Sequence, residues 1–266
     1  MKPVATCLAP LFLALASLSL CIAPGLCTAQ VTTSQYDNAR TGAAVNEKIL
    51  TPQNVNAQQF GYFTPFDQAN ILAGDSDVAS SGPTLLPDQP GPHRHLLLQP
   101  TKHSVLYVID RDQMGKFHAD GDAIPQRIHM AGGGYGAVAY WNGHVFFAAS
   151  DDYLRDYAVK NGQLVLHASS AAKFENPGAT PSISANGKTN AIVWTVATKT
   201  WNGPDTKPAV LYAYDATKLG QPIYTSEQDS QRDRAAMAAR FVIPVVVNGR
   251  VYLGTRSEVE VYGLLK

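Results

Sequence analysis

The clearest pattern in the chain is an apolar run that ends in an aspartate, turns at a glycine and resumes as a second β-prone run. Residues 210–225, VLYAYDATKLGQPIYT, show it best, and 105–117, VLYVIDRDQMGKF, repeat it. A weaker version lies at 154–166, LRDYAVKNGQLVL, and 258–264 begin a fourth. Gly115, Gly162 and Gly220 stand 47 and 58 residues apart, a period that points to a repeat architecture. Between these marks, pairs of short apolar runs flank an Asn-Gly dipeptide. They are 136–141 and 144–149 around Asn142-Gly143, 179–185 and 191–197 around Asn186-Gly187, and 241–247 and 250–255 around Asn248-Gly249. Asn-Gly predicts a two-residue hairpin because both central residues of a type I′ turn need positive φ.

The strands so marked do not alternate apolar with polar. Runs such as 105–109 (VLYVI) and 245–247 (VVV) predict strands buried on both faces. Hairpin connections make the sheets antiparallel. Antiparallel sheets covered on both sides and recurring every 40–60 residues or so fit stacked propeller blades. The expected fold is all-β: a β-propeller of about four blades, each a four-stranded antiparallel sheet, incomplete or open if its ring does not close. The alternative is a β-sandwich of about ten strands. Repeats occupy 81–266, in units of about 81–130, 131–175, 176–239 and 240–266, after an extended segment at 30–80. Three prolines in 87–92 exclude a central strand there. Residues 52–56 can open a short helix, and the alanines of 230–240 predict another. No polar cap for the two end blades is visible, so an open arc is expected to oligomerise or to be poorly soluble.

Composition adds a compartment. Lys2 precedes an uncharged apolar run from Cys7 to Ile22, and Cys27-Thr28-Ala29 fits a small-x-small cleavage site. Residues 1–29 read as a cleaved signal peptide, too short an apolar run for a membrane span. The chain is therefore expected in the periplasm or outside the cell. Leu20 and Leu26 before Cys21 and Cys27 argue against a lipoprotein anchor. All three cysteines fall in the leader, so about 237 residues remain with no disulfide, thiol nucleophile or thiolate ligand. Lys+Arg and Asp+Glu both number 21, a balance that gives no nucleic-acid or anionic-membrane surface.

The residues of the repeat carry a family resemblance. Leu211-Tyr212-Ala213-Tyr214-Asp215 with Gly220, and Leu106-Tyr107-Val108-Ile109-Asp110 with Gly115, resemble the repeat of pyrroloquinoline-quinone (PQQ) propellers, the quinoprotein alcohol dehydrogenase-like superfamily. Residues 35–42, 86–93, 177–184 and 241–264 resemble, more narrowly, exported bacterial proteins that carry this propeller. Such propellers usually have seven or eight blades, so the resemblance implies lost interior blades with a join near Gly61-Tyr62. It also implies that the N-terminal segment supplies the outer strand of the last blade. The repeat's usual closing Trp is missing, with Phe117 and Tyr224 in its region.

Quinoprotein dehydrogenases hold PQQ and Ca²⁺ with a carboxylate base, and no such set can be placed here. Asp110 and Asp215 sit at matched repeat positions and read as turn formers; the second unit has Ala158 instead. Asp110, Asp112, Asp120 and Asp122 invite a Ca²⁺ reading, but Met114 stands at the fifth ligand position of an EF-hand spacing. His93, His95 and His103 read as surface histidines rather than a metal site. Residues 132–137, GGGYGA, match a dinucleotide fingerprint formally, but a strand follows where a helix is required, so they read as a blade connection. Arg232, Arg234 and Arg240 read as a solvated basic face. No catalytic residue and no metal ligand is assigned. The expected function is a non-catalytic binding or scaffold module, its protein or small-molecule ligand on a propeller end face or in the channel. The channel is expected to be lined by 82–86, 136–140, 179–182 and 242–245. A PQQ- and Ca²⁺-dependent oxidoreductase, or the remnant of one, is the alternative.

Overall fold

A computed structural model describes residues 47–55, 61–199 and 203–265. The expected leader, the three cysteines and the motif at 35–42 lie outside these residues. The described residues form four antiparallel sheets. The first holds β1 (Thr84–Leu85), β2 (Leu96–Pro100), β3 (Val105–Asp110) and β4 (Gln126–His129). The second holds β5 (Ala139–Trp141), β6 (His144–Phe147), β7 (Asp152–Lys160) and β8 (Gln163–Phe174). The third holds β9 (Ser182–Asn186), β10 (Thr189–Ala197), β11 (Val210–Asp215) and β12 (Tyr224–Thr225). The last has three strands, β13 (Val245–Val247), β14 (Arg250–Gly254) and β15 (Val259–Gly263). Four sheets rather than two exclude the sandwich. The fold is a β-propeller whose sheets do not close.

Successive residues of a strand face opposite sides of its sheet, and in the second and third sheets both sides meet another blade. Val145 and Phe147 of β6 join Leu106 and Val108 in a core between the first two sheets. Phe146, on the opposite face of β6, packs with Val193 and Tyr214 of the third. Val196 and Leu211 then pack against Val251 and Leu253 of the fourth. All six residues of β3 are buried, Leu106 and Val108 against the second blade and Val105, Tyr107 and Ile109 on the opposite face. Tyr224 joins this last interface, its ring 6.5 Å from that of Tyr262. The first strands of the last three blades meet, with β9 touching both β5 and β13, so these strands are innermost. The glycine stretch 132–137 connects the first two blades. A Cβ on Gly132 would strike the Ser150 carbonyl, and one on Gly136 the Thr180 side chain.

Two of the three predicted Asn-Gly hairpins form as expected, with positive φ at Asn142-Gly143 and Asn248-Gly249. In the third, Asn186 pairs with Thr189, which puts Gly187-Lys188 in the turn. A register irregularity after Thr189, with Asn190 at φ 54°, accompanies this one-residue shift. The helix expected at 230–240 does not form. Ala235 and Ala238 are drawn into the core between the last two blades, and the backbone hydrogen-bonds to Lys207 and Ala209. Residues 52–55 make a single turn on the Thr51 carbonyl. A helix not anticipated, α1 (Gln68–Ala73), follows the join region.

The ends differ, and one corrects the expectation of no cap. The outer face of the first sheet, carrying Val105, Tyr107 and Ile109, is covered by Phe63, Met114 and Ile124. Arg127 locks this cover through Asp67 at 2.7 Å and Asp122 at 3.2 Å, with its guanidinium 4.8 Å from the Phe66 ring centre. A few side chains on loops without periodicity make the cap, and no sequence pattern marks them. At the other end β15 is an edge strand, with Val259 and Val261 exposed. Of the segment expected to add an outer strand there, residues 47–55 and 61–80 are described and none joins this sheet; Phe63 and Asp67 pack on the first blade instead.

Leu211 is fully buried between the last two blades. Leu211→Ala should therefore cost about 2–5 kcal/mol in urea unfolding, whereas Val261→Ser on the exposed edge should stay within about 0.5 kcal/mol.

Candidate functional site

Most carboxylates of the sequence motifs build turns. Asp110, ending β3, accepts the Asp112 N–H (2.9 Å) and contacts His93 Nδ1 (2.8 Å). Burial pushes its carboxyl up, but the His93 and Asp112 hydrogen bonds outweigh that and hold it below its ordinary value. Asp215, ending β11, accepts the hydroxyl of Thr217 (2.7 Å) and then its N–H (2.8 Å), and these lower its pKa. The structure does not gather the other acidic residues considered for Ca²⁺. Asp112 contacts His95, Asp122 holds Arg127 and the Phe66 N–H, and Asp120 is exposed. His93, His95 and His103 are equally dispersed, since His103 Nε2 lies 2.8 Å from the Tyr107 hydroxyl in the cap. Arg232, Arg234 and Arg240 are exposed, with Arg232 held by Asp233 at 2.6 Å.

A groove of about 520 Å³ opens on one end face. Its walls are the loop between β1 and β2 (Asp88, Pro90), the end of β5 with the turn after it (Tyr140, Trp141, Asn142) and the turn after β9 (Lys188). Trp141 ties two of these walls by donating its indole N–H to the Gly187 carbonyl (2.9 Å). A much smaller recess on the opposite face is lined by Tyr135, Thr180, Thr198 and Phe241.

A third arrangement was not anticipated. On β6, β7 and β8, His144, Asp156 and His167 bring their ligand atoms within 4.8 Å of one another. Asp156 Oδ1 lies 2.8 Å from His144 Nδ1, and Oδ2 lies 2.9 Å from His167 Nδ1. The Asp156 side chain is 1% exposed, that of His144 30% and that of His167 53%. His144 and Asp156 share a face because Asp156 pairs with Phe146, two residues beyond His144. Ala168 is the residue opposite Asp156, and Leu166 is opposite Tyr157, so His167 is the extra residue of a bulge. A bulge re-aims a side chain, and this one turns His167 onto the carboxylate. Among the described residues this is the one group of His, Cys, Asp and Glu close enough to hold a metal ion. Sequence spacing hid it, because the three residues sit on separate strands and the bulge shows only in the register.

No protein-family model and no curated protein matches the chain. Among solved structures it is similar to the computationally designed Ika8 protein, with a TM-score of 0.41 and 10% identity over 68% of this chain and 46% of that one. It is also similar to the WD40 domain of coronin from Toxoplasma gondii, with a TM-score of 0.30 and 12% identity over 69% of this chain and 55% of that one. The chain thus spans about half the length of these structures.

Burial in the cap lowers the His103 pKa, with a backbone hydrogen bond at Ser76 and the charges of Asp67 and Asp122 opposing it and Arg127 adding to it. The unfolded chain then binds this proton more readily than the folded one. Stability should fall as pH drops below the ordinary histidine value of about 6.5 toward the lowered folded value. Urea midpoints across that window, compared with those of His103→Gln, should show a smaller loss in the variant.

Proposed function

We propose that this chain is an exported PQQ-repeat-type propeller that acts as a non-catalytic binding or scaffold module. Its ligand, a protein or small molecule, sits on an end face or at the channel mouth. The propeller fold and the repeat motifs ending in Asp110 and Asp215 support the type; the pattern of residues 1–29 supports export. One observation carries the non-catalytic part. The first strands of the four sheets, β1, β5, β9 and β13, read TL, AYW, SISAN and VVV, with no carboxylate, imidazole or cation among them. A quinone cofactor with Ca²⁺ and a carboxylate base needs such groups to converge. The groove beside Tyr140 and Trp141 offers instead an aromatic floor with polar turns around it, a surface suited to recognition.

The test is a thermal melt of the chain, alone and with PQQ plus Ca²⁺, paired with a dye-linked assay of alcohol and sugar oxidation. The expected outcome is a cooperative melt that the additions do not move, and no turnover. A ligand at a hundred times its dissociation constant would add about 2.7 kcal/mol. A shift of that size together with turnover would overturn the reading in favour of the quinoprotein oxidoreductase.

A further inference from the structure

A carboxylate taken out of water needs its charge matched. Elsewhere in this fold the matching partners include backbone. Asp152 accepts the Tyr153 N–H and the Arg155 guanidinium, Asp122 accepts the Phe66 N–H and pairs with Arg127, and Asp110 accepts the Asp112 N–H. Asp156 is as buried as any of them, yet its partners are two imidazoles and nothing else, one on each oxygen. The chain bends to make this arrangement, because the second imidazole reaches the carboxylate only through the bulge in β8.

We propose that His144, Asp156 and His167 form a binding site for a divalent transition metal of the zinc, nickel, copper or cobalt class. Two imidazole nitrogens and one carboxylate are the donor set these ions take, whereas Ca²⁺ and Mg²⁺ prefer oxygen alone. The two His–Asp separations of 2.8 and 2.9 Å suit donors sharing one ion through both carboxylate oxygens. Metal–ligand bonds of about 2.1 Å let two donors stand at most about 4.2 Å apart. The site's outer limit of 4.8 Å therefore calls for a small closing movement, which the half-exposed His167 can make. Three adjacent strands hold the ligands, so little order has to be created on binding. Two imidazole nitrogens and both carboxylate oxygens are four donors, so water or a ligand atom would take a fifth position. His144 directly follows Gly143, which lines the end-face groove, so the ion would lie beside that surface.

The test is a titration of the tag-free full chain with Zn²⁺ by calorimetry and with Co²⁺ by visible absorption. One equivalent should bind, and the cobalt spectrum should lack a thiolate charge-transfer band, which separates this site from the leader cysteines. His144→Ala and His167→Ala should each weaken binding beyond the about 10–100-fold that loss of an outer-sphere partner costs. His167 is half exposed, so its variant should keep the melting profile of the parent and decides the matter even if Asp156→Asn fails to fold. Absence of stoichiometric binding by a chain that melts cooperatively would overturn the proposal. So would binding that survives in both histidine variants, or a thiolate band in the cobalt spectrum.

Discussion

The structure depends on strands that are apolar on both faces, each of the two middle sheets serving as the wall of two cores. Phe147 looks toward the first blade and Phe146 toward the third, one residue apart on the same strand. No blade can satisfy this alone, since an isolated sheet of this composition would present two greasy faces to water. Stacking in order is the solution, and it dictates the details between blades. The connections must cross where blades nearly touch, which is why Gly132 and Gly136 have no room for a side chain. It also defines the problem at the ends. Phe63 and the Asp67–Arg127–Asp122 network solve it for the first blade, while β15 stays an open edge.

Much of this was legible in the sequence because it follows from short-range chemistry. Five consecutive apolar residues at 105–109 announce a strand covered on both sides, and Asn142-Gly143 and Asn248-Gly249 announce their turns. What failed was decided by contacts distant in the chain. The alanines of 230–240 have helical propensity, but the core between the last two blades takes Ala235 and Ala238, and pairing with 207–209 replaces helical hydrogen bonds. The cap was invisible because Asp67 and Arg127 are 60 residues apart. A bulge carries no signature in composition, so His167 could not be assigned to a face from its position in the run.

The aspartates show how one residue type serves different ends. In the first and third blades the aspartate closes its strand and binds the turn that follows, so Asp110 and Asp215 are structural. The second blade lacks that residue at Ala158. Its β7 and β8 are long and joined by the tight Asn161-Gly162 turn, which needs no aspartate. Its buried carboxylate, Asp156, instead sits within the strand, where the neighbouring backbone N–H groups belong to the sheet and only side chains can reach it. Two histidines fill that role, and this departure from the repeat is where the fold gathers chemistry.

Stacking from both sides should govern how readily each sheet opens. Amide hydrogen exchange along the chain tests it most directly. Exchange should be slowest in β3, β6, β7, β10 and β11, together and late, with β15 exchanging early at its exposed edge. Comparable fast exchange in these central strands, or protection of β15 equal to theirs, would contradict it.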